Sequence, residues 1–251
     1  MTKPLIHVIP ALSDNYGFVI QVGADAIVID PSEPRPFLNV LETGNMRVTH
    51  VLLTHGHHDH VGGVDALRDR YRALIIGPKG MSLNLDHQVS HDENIRIHGL
   101  RVKALDTPGH AFPHSAFHMA EQGWLFSGDC LFGAGCGRLS GNSADVMWRS
   151  LQLLSGLPDH TKVFFGHEYT LNNLAFALTV DPDNAEVKKR ISDLQASLAS
   201  GGYSVPATLA EERQTNPFLR TSEPAIRRSL GLMEATDLEV FTALRKAKDR
   251  F

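Results

Sequence analysis

The stretch LLTHGHHDHVGG, residues 52–63, places four histidines and one aspartate within six positions directly behind an apolar run. The apolar residues HVLLT predict a buried strand, and the amphipathic segment from about Val61 to Tyr71 predicts a helix. The polar cluster therefore falls in a strand-to-helix connection. Such connections expose side chains at the end of a sheet, where folds of strands and helices commonly bind ligands.

The cluster has the chemistry of a metal site. Imidazole and carboxylate are good ligands for Zn²⁺ and for neighbouring divalent ions. Alternate residues of an extended segment can converge on one ion, so His55 and His57 suit a first metal. Asp59 and His60 turn into the helix and suit a second metal. Gly62 and Gly63 permit close approach of the backbone behind them.

Three further motifs repeat the same context of a polar residue after an apolar run. DTPGHA places His110, LFSGDC places Asp129 and FFGHEY places His167 behind predicted strands. Asp129 has two carboxylate oxygens and can bridge two ions. A single histidine is ordinarily a surface or core residue, but seven residues in four matched contexts favour a site. His58 and His114 lie inside the motifs and are expected to support the ligands or to face solvent.

The chain divides into a strand-rich and a helical part. Short β-branched strands separated by turns dominate the first two thirds, and helical spacing dominates beyond Tyr169. We therefore expect two domains, a metal domain over residues 1–170 and a helical domain over residues 171–251. The strands predict one large mixed sheet.

Composition is that of a globular, water-soluble protein. Of the 251 residues 42% are hydrophobic and 21% are charged, the net charge is -4, and only two cysteines occur. This charge offers no general attraction to nucleic acid or to anionic lipid. No apolar run reaches the roughly 18 residues of a membrane span, and no signal-peptide core is visible. A cytoplasmic location with reduced cysteines, and no membrane or nucleic-acid partner, is the expectation.

In this order, THGHHDH, TPGH, SGD and GHEY resemble the motifs of the metallo-β-lactamase superfamily. Within it the chain is most similar to the glyoxalase II (hydroxyacylglutathione hydrolase) family, through DNYGFVI, LFGAGCGR, GHEYTLNN, ERQTNPFLR and LRKAKDRF. The resemblance covers essentially the whole chain. It implies an α+β fold, a four-layer αββα metallo-β-lactamase sandwich followed by a C-terminal helical domain that binds glutathione.

The resemblance also assigns the site residues. It implies a first metal held by His55, His57 and His110, a second held by Asp59, His60 and His167, and Asp129 as the bridging ligand. The two ions are expected to be Zn²⁺, with Fe or Mn as alternatives. The residues assigned to glutathione are Arg138, Tyr169, Arg245 and Lys248, whose cationic members suit its carboxylates. Without the resemblance, LRKAKDRF reads as a solvated helix end favoured by the helix dipole.

The chain departs from the family pattern at three places. It has Gly56 where the family often has histidine, Pro113 where it has glycine, and Ser140 where it has an aromatic residue. None of these changes removes a metal ligand. The change at Ser140 bears on the affinity for glutathione.

The activity implied by the resemblance is hydrolysis of S-D-lactoylglutathione, or a related 2-hydroxyacyl thioester, to D-lactate and glutathione. A monomeric state is the expectation. A hydroxide bridging the two ions would attack the thioester carbonyl, with Asp59 and Asp129 as the catalytic carboxylates that orient it. Cys130 is an alternative nucleophile, but no base is paired with it.

Several rival functions compete with this reading. They are a persulfide dioxygenase, a lactonase or a β-lactamase of the same superfamily, an RNA-processing enzyme, and a metal-binding protein without activity.

Overall fold

The computed structural model describes residues 3–139, 141 and 143–251. Contacts along the chain separate two compact units. The first contains the residues up to Asp106 together with Ala111–Gly128, and the second contains Thr107–His110 and Asp129–Phe251. The predicted domain boundary at residue 170 stays a prediction.

The first unit begins with a six-stranded mixed sheet. Its strands are β1 (Leu5–Ala11), β2 (Asn15–Val22), β3 (Asp25–Ile29), β4 (Arg47–Leu52), β5 (Leu74–Pro78) and β6 (His87–Val89), in that order across the sheet. The pairs from β1 to β3 are antiparallel, and those from β3 to β6 are parallel. Because β3 and β4 are parallel, the residues that follow them emerge at the same edge of the sheet.

Helices connect β3 to β4 and β4 to β5, as is usual between parallel strands, whereas a loop joins β5 to β6. They are α1 (Pro34–Thr43), α2 (His58–Val61) and α3 (Val64–Tyr71). Helix α1 ends at Gly44, and its buried residues Phe37 and Leu41 pack into the core of this sheet. The prediction of one helix beginning near Val61 is wrong. The chain turns helical already at His58 and is interrupted at Gly62 and Gly63.

A second set of strands in the first unit is antiparallel. It comprises β7 (Asn94–Ile97), β8 (Leu100–Asp106), β9 (Ser115–Met119) and β10 (Trp124–Gly128). His98 and Gly99 form a two-residue hairpin turn, and both have positive φ, as the favoured hairpin turns require. These strands form a sheet separate from that of β1 to β6, so the prediction of one large sheet is wrong. The strands themselves are confirmed.

The second unit is mainly helical. Its elements are β11 (Leu131–Phe132), β12 (Gly135–Cys136), α4 (Ala144–Ser155), β13 (Lys162–Phe165), α5 (Thr170–Val180), α6 (Ala185–Ala199), β14 (Ala207–Thr208), α7 (Leu209–Thr215), a 3-10 helix (Pro217–Leu219), α8 (Pro224–Leu230) and α9 (Asp237–Lys248). The strands β13 and β14 pair antiparallel. The expected helices beyond Tyr169 are confirmed as α5, α6, α8 and α9.

Aromatic packing orders the helices of the second unit. The ring of Phe218 lies 6.1 Å from that of Phe176 on α5 and 5.8 Å from that of Phe241 on α9. A capping box of Thr236 and Glu239 starts α9 and satisfies backbone donors at its N-terminus. Among the described residues, no helix combines the length and apolar character needed to cross a membrane.

Candidate metal centre and substrate cavity

The predicted ligands of the first unit lie together behind β4. The side chains of His55 and His60 are almost completely buried, and their rings lie 4.2 Å apart. His57 Nδ1 lies 3.0 Å from His55 Nε2, and Asp59 Oδ2 lies 3.8 Å from His60 Nε2. Asp59 and His60 are on helix α2, not in the loop where they were expected.

Asp30, which the sequence analysis missed, holds this cluster from the end of the parallel strand β3. Its Oδ1 accepts from the backbone N–H of Thr54 at 2.8 Å, and its Oδ2 accepts from the Thr54 hydroxyl at 2.6 Å. His60 Nδ1 lies 3.0 Å from the same Oδ2. A carboxylate accepts, so Nδ1 carries the proton of His60 and Nε2 presents its lone pair.

The same hydrogen bonds fix the tautomer of His55. The hydroxyl proton of Thr54 is donated to Asp30, so the His55 Nδ1, 3.0 Å from the Thr54 oxygen, is the donor of that pair. The lone pair of His55 then lies on Nε2, towards His57. Both histidines therefore turn ligand nitrogens away from Asp30 and Thr54. The sequence signal was present in IVIDPS, where an aspartate follows a buried strand.

Asn15 was also missed, and it supports Asp59. Its side-chain amide donates to Asp59 Oδ2 at 3.0 Å and to the Asp59 carbonyl at 3.2 Å. Asn15 is buried. It belongs to the segment DNYG, which the sequence analysis used only as a sign of resemblance.

His114 and His58, which were expected to support the ligands or to face solvent, differ in their burial. His114 is buried and forms a β-bridge with His55, so it packs against a predicted ligand. His58 is exposed on α2. A Cβ at Gly56 would meet only Met81, at an ordinary contact distance of 3.6 Å.

The second unit brings together the other three predicted ligands. His110 Nε2 lies 3.4 Å and His167 Nε2 lies 3.3 Å from Asp129 Oδ2. His110 Nδ1 lies 3.2 Å from the Arg138 carbonyl, which can only accept, so the lone pair of His110 is on Nε2. The lone pair on His110 Nε2 therefore lies beside Asp129 Oδ2, a second potential ligand atom.

The donor set of each unit fits a bound cation. His55 Nε2, His60 Nε2 and His110 Nε2 each carry a lone pair beside another potential ligand atom, and such pairs of acceptors repel unless a cation or a proton lies between them. Nitrogen and carboxylate oxygen are ligands of Zn²⁺, Fe²⁺ and Mn²⁺ alike. The clusters therefore support divalent metal ions and leave their identity open.

The second unit also contains a cavity of about 580 Å³. All four residues assigned to glutathione line it, namely Arg138, Tyr169, Arg245 and Lys248, together with His110 and Asp129. Tyr169 stacks on the predicted ligand His167, with ring planes only 4° apart and centroids 4.9 Å apart. Ser140, the site of the third departure, lies outside the described residues.

Lys248 shares the cavity with two other cationic side chains, Arg138 and Arg245. Burial and the charges of Arg245 and Arg138 lower the pKa of Lys248 to about 8. Its ammonium contacts the side-chain oxygen of Asn172 and lies 4.8 Å from the ring centroid of Phe251. A carboxylate bound here would relieve the repulsion among the three cations.

Arg245 is more constrained than Lys248. Its guanidinium is buried, donates to the Cys136 carbonyl at 3.0 Å and pairs with Asp249 at 2.9 Å. It also lies over the ring of Phe218 at 5.1 Å. Part of its charge is therefore compensated within the protein, and the remaining N–H groups have a fixed direction.

The two cysteines are unsuited to nucleophilic attack. Both are free and buried. Burial raises the pKa of the Cys136 thiol to about 11 and raises that of Cys130 well above its usual value. Cys130 therefore stays protonated and lacks the thiolate that nucleophilic attack requires.

Comparison with known proteins identifies the fold. A family model described as "Metallo-beta-lactamase superfamily" matches residues 13–167. ETHE1 from Myxococcus xanthus has a similar structure, with a TM-score of 0.68 and 24% identity over 97% of each chain. TTHA1623 in a di-iron-bound form is also similar, with a TM-score of 0.61 and 24% identity. The match covers 87% of this chain and all of the other. The chain is a member of the metallo-β-lactamase superfamily, and the expected α+β fold with a C-terminal helical region is confirmed.

The C-terminal third of the chain narrows the family assignment. A model described as "Hydroxyacylglutathione hydrolase C-terminus" matches residues 168–251. The chain is 42% identical to the hydroxyacylglutathione hydrolase of Rhizobium meliloti (strain 1021) over 95% of both chains. It is also 42% identical to that of Ruegeria pomeroyi over 98% of both. The chain belongs to the hydroxyacylglutathione hydrolase family.

Proposed function

We propose that the protein hydrolyses the thioester bond of S-D-lactoylglutathione and of related S-2-hydroxyacylglutathiones, releasing D-lactate and glutathione. The observation that carries the proposal is the cavity of the second unit. It combines two predicted metal ligands, His110 and Asp129, with three cations and a tyrosine. Membership of the hydroxyacylglutathione hydrolase family supports the same substrate.

Two divalent metal ions are part of the proposal. The first is assigned to His55, His57 and His110, the second to Asp59, His60 and His167, and Asp129 is shared by both. Zn²⁺ is the expected ion, with Fe or Mn as alternatives. Bound ions would supply a Lewis acid for the thioester carbonyl and would make water a nucleophile at neutral pH.

The protein's own residues orient this chemistry. Asp30 and Thr54 hold His60 and His55 with their Nε2 lone pairs presented, and Asn15 holds the carboxylate of Asp59. Asp59 and Asp129 are the proposed catalytic carboxylates, since their oxygens can accept a proton from the attacking water. A thiolate leaves readily, so the reaction needs no strong general acid.

Substrate binding is assigned to the four residues of the cavity. Lys248 and Arg138 attract the carboxylates of glutathione, and Arg245 contributes directed N–H groups. Tyr169, stacked on His167, offers an aromatic face close to the metal ligands. Neither cysteine takes part, because burial keeps both thiols protonated.

The rival readings within the superfamily are a persulfide dioxygenase and hydrolases of lactones or β-lactams. The match of residues 168–251 to the C-terminal part of hydroxyacylglutathione hydrolases favours the thioesterase over these. A cytoplasmic location, a monomeric state and the absence of nucleic-acid or membrane partners stay predictions from the sequence.

A steady-state assay of the metal-loaded protein tests the proposal. We expect turnover of S-D-lactoylglutathione, with release of free thiol, and little turnover of lactones, β-lactams or glutathione persulfide. Elemental analysis of the same sample should find two metal ions per chain. Turnover of a lactone but not of the thioester would overturn the assignment, and one ion per chain with full activity would overturn the dinuclear centre.

A further inference from the structure

The segment of residues 131–136 forms a short hairpin beside the substrate cavity. β11 and β12 pair through Leu131 with Cys136 and Phe132 with Gly135, which leaves Gly133 and Ala134 in the turn. Phe132 and Cys136 line the cavity, and Arg138 follows two residues later. The position of this hairpin therefore sets part of the cavity wall.

Side chains from the C-terminal helices hold the backbone of the hairpin turn. The N–H of Ala134 donates to Glu212 Oε2 at 2.8 Å. The amide of Asn216 donates to the Gly135 carbonyl at 3.0 Å, and the amide of Asn173 donates to the Gly133 carbonyl at 3.0 Å. A two-residue hairpin with so few backbone hydrogen bonds of its own depends on such partners.

Glu212 is the centre of this arrangement. Its side chain is completely buried, and Oε1 accepts from Arg190 at 2.6 Å while Oε2 also accepts from Asn216 at 3.0 Å. A buried ion pair is a weak way to gain stability, and removal of one partner leaves the other charge uncompensated. The pair of Glu212 and Arg190 therefore contributes little net stability, but it fixes the position of the groups bonded to Glu212.

Ala134 shows that the turn is imposed on the chain. Its φ is +52°, in the left-handed region that alanine disfavours, and its side chain is fully buried. The surrounding contacts must therefore hold this conformation. The contact that reaches the Ala134 N–H is the carboxylate of Glu212.

We propose that Glu212 is a positioning residue for substrate binding, which acts by locking the 131–136 hairpin in place. The inference rests on the proposed function, because it takes the cavity as the binding site of the glutathione thioester. The hairpin transmits the effect in two ways. The Cys136 carbonyl accepts from Arg245, and the Phe132 ring lies edge-on against Tyr169 at 5.5 Å.

The variant Glu212→Gln tests the proposal with a change of charge at nearly constant size. We expect KM for S-D-lactoylglutathione to rise about tenfold while kcat stays within about twofold, because a charged hydrogen bond is lost away from the reacting atoms. The affinity for a non-hydrolysable S-alkylglutathione, measured by calorimetry, should fall by the same factor. An unchanged KM in a folded variant would overturn the proposal.

Glu211→Gln is the matched control. Glu211 is the neighbouring residue and also faces Arg190, at 3.4 Å, but its side chain is 41% exposed. This substitution removes the same charge without touching the hairpin, and we expect KM within about twofold of the wild type. Equal rises in KM for both variants would point to the charge of Arg190 and contradict a role through the hairpin.

Hydrogen exchange of the wild-type holoprotein gives a readout that needs no variant. We expect the Ala134 amide to exchange much more slowly than exposed loop amides, and Glu212→Gln to speed the exchange of residues 131–138. Fast exchange at Ala134 in the wild type would overturn the proposal even if the variant fails to fold. If the wild type binds no glutathione derivative while the Ala134 amide is protected from exchange, the proposed function is wrong, although Glu212 still holds the 131–136 hairpin in place.

Discussion

At the scale of single residues, two of the proposed ligand histidines depend on a carboxylate for which the sequence predicted no role. The Asp30 carboxylate accepts hydrogen bonds from Thr54 and from His60 Nδ1. Because the Thr54 hydroxyl donates to Asp30, its oxygen accepts from His55 Nδ1. Two of the proposed ligands therefore owe their tautomers to one side chain. This is the usual way in which metal-binding histidines are oriented.

The variant Asp30→Asn tests this dependence. The amide group retains one oxygen, so either Thr54 or His60 loses its acceptor, and we expect metal affinity to fall by about 10- to 100-fold. Titration of the metal-free protein with Zn²⁺ measures the change. Asp25→Asn, at the start of the same strand and paired with Arg47, is the control and should bind metal as the wild type does. Equal affinity in both variants would contradict the role of Asp30.

Lys248 gives the substrate cavity a dependence on pH. Its pKa is lowered to about 8, so its charge is present below pH 8 and is lost as the pH rises through that value. Loss of the charge removes an attraction for the carboxylate of the ligand. We therefore expect the Kd of an S-alkylglutathione to rise above pH 8, with the midpoint shifted upwards by bound ligand.

Substitution of Lys248 isolates its part of the pH profile. Lys248→Arg keeps a cation whose charge persists at high pH, so the rise of Kd near pH 8 should disappear. Lys246→Met removes a neighbouring cation that does not line this cavity and should leave the profile in place. Persistence of the rise in Lys248→Arg would assign it to another group.

At the scale of elements, the sequence predicts helices best where the apolar spacing and a residue that ends the helix agree. α1 ends at Gly44, and the helices beyond Tyr169 follow their apolar spacing, because each buries one face and each has an end signal. The short elements β14 and α7 were missed, since two strand residues or seven helical ones carry little periodic signal.

The break between α2 and α3 shows what periodicity omits. The pattern from Val61 to Tyr71 is helical, but a Cβ on Gly62 would lie 2.4 Å from the Ser32 carbonyl oxygen. The Gly63 N–H also donates to the Pro31 carbonyl at 2.7 Å. Close approach of a distant backbone segment decides the local structure there. Asp59 and His60 could be proposed as ligands from their residue types. Their hydrogen-bond partners Asp30 and Asn15 are distant in the sequence and become neighbours only through the folding of the sheet.

Gly62→Ala sets helix propensity against this contact. Alanine would stabilise a helix by about 1 kcal/mol by propensity alone. A rigid carbonyl at 2.4 Å forces the backbone to shift, and we expect a net destabilisation of about 1–3 kcal/mol in chemical denaturation. Gly156→Ala is the control, because its Cβ would meet nothing closer than 3.4 Å. If Gly62→Ala were more stable than the wild type, the backbone at Ser32 would move aside at little cost, which would contradict this prediction.

At the scale of the whole molecule, the proposed ligands come from both compact units. His55, His57, Asp59 and His60 belong to the first unit, and His110, Asp129 and His167 belong to the second. The order of motifs in the sequence is sufficient to propose this set. The basic residues proposed to bind the substrate were less predictable. LRKAKDRF has the composition of an ordinary helix end, and only the position of Arg245 and Lys248 at the cavity distinguishes it from one.

Removal of the metal ions should lower the stability of the whole chain. Ligands that bind only the folded state stabilise it, and ions at about one hundred times their Kd add about 2.7 kcal/mol. We expect a chelator to lower the midpoint of thermal unfolding of the wild type and of His87→Ala, whose exposed histidine pairs with Glu93. The chelator should have a much smaller effect on His167→Ala. An unchanged wild-type midpoint after complete loss of metal would separate the ions from the fold and would contradict the proposed ligand set.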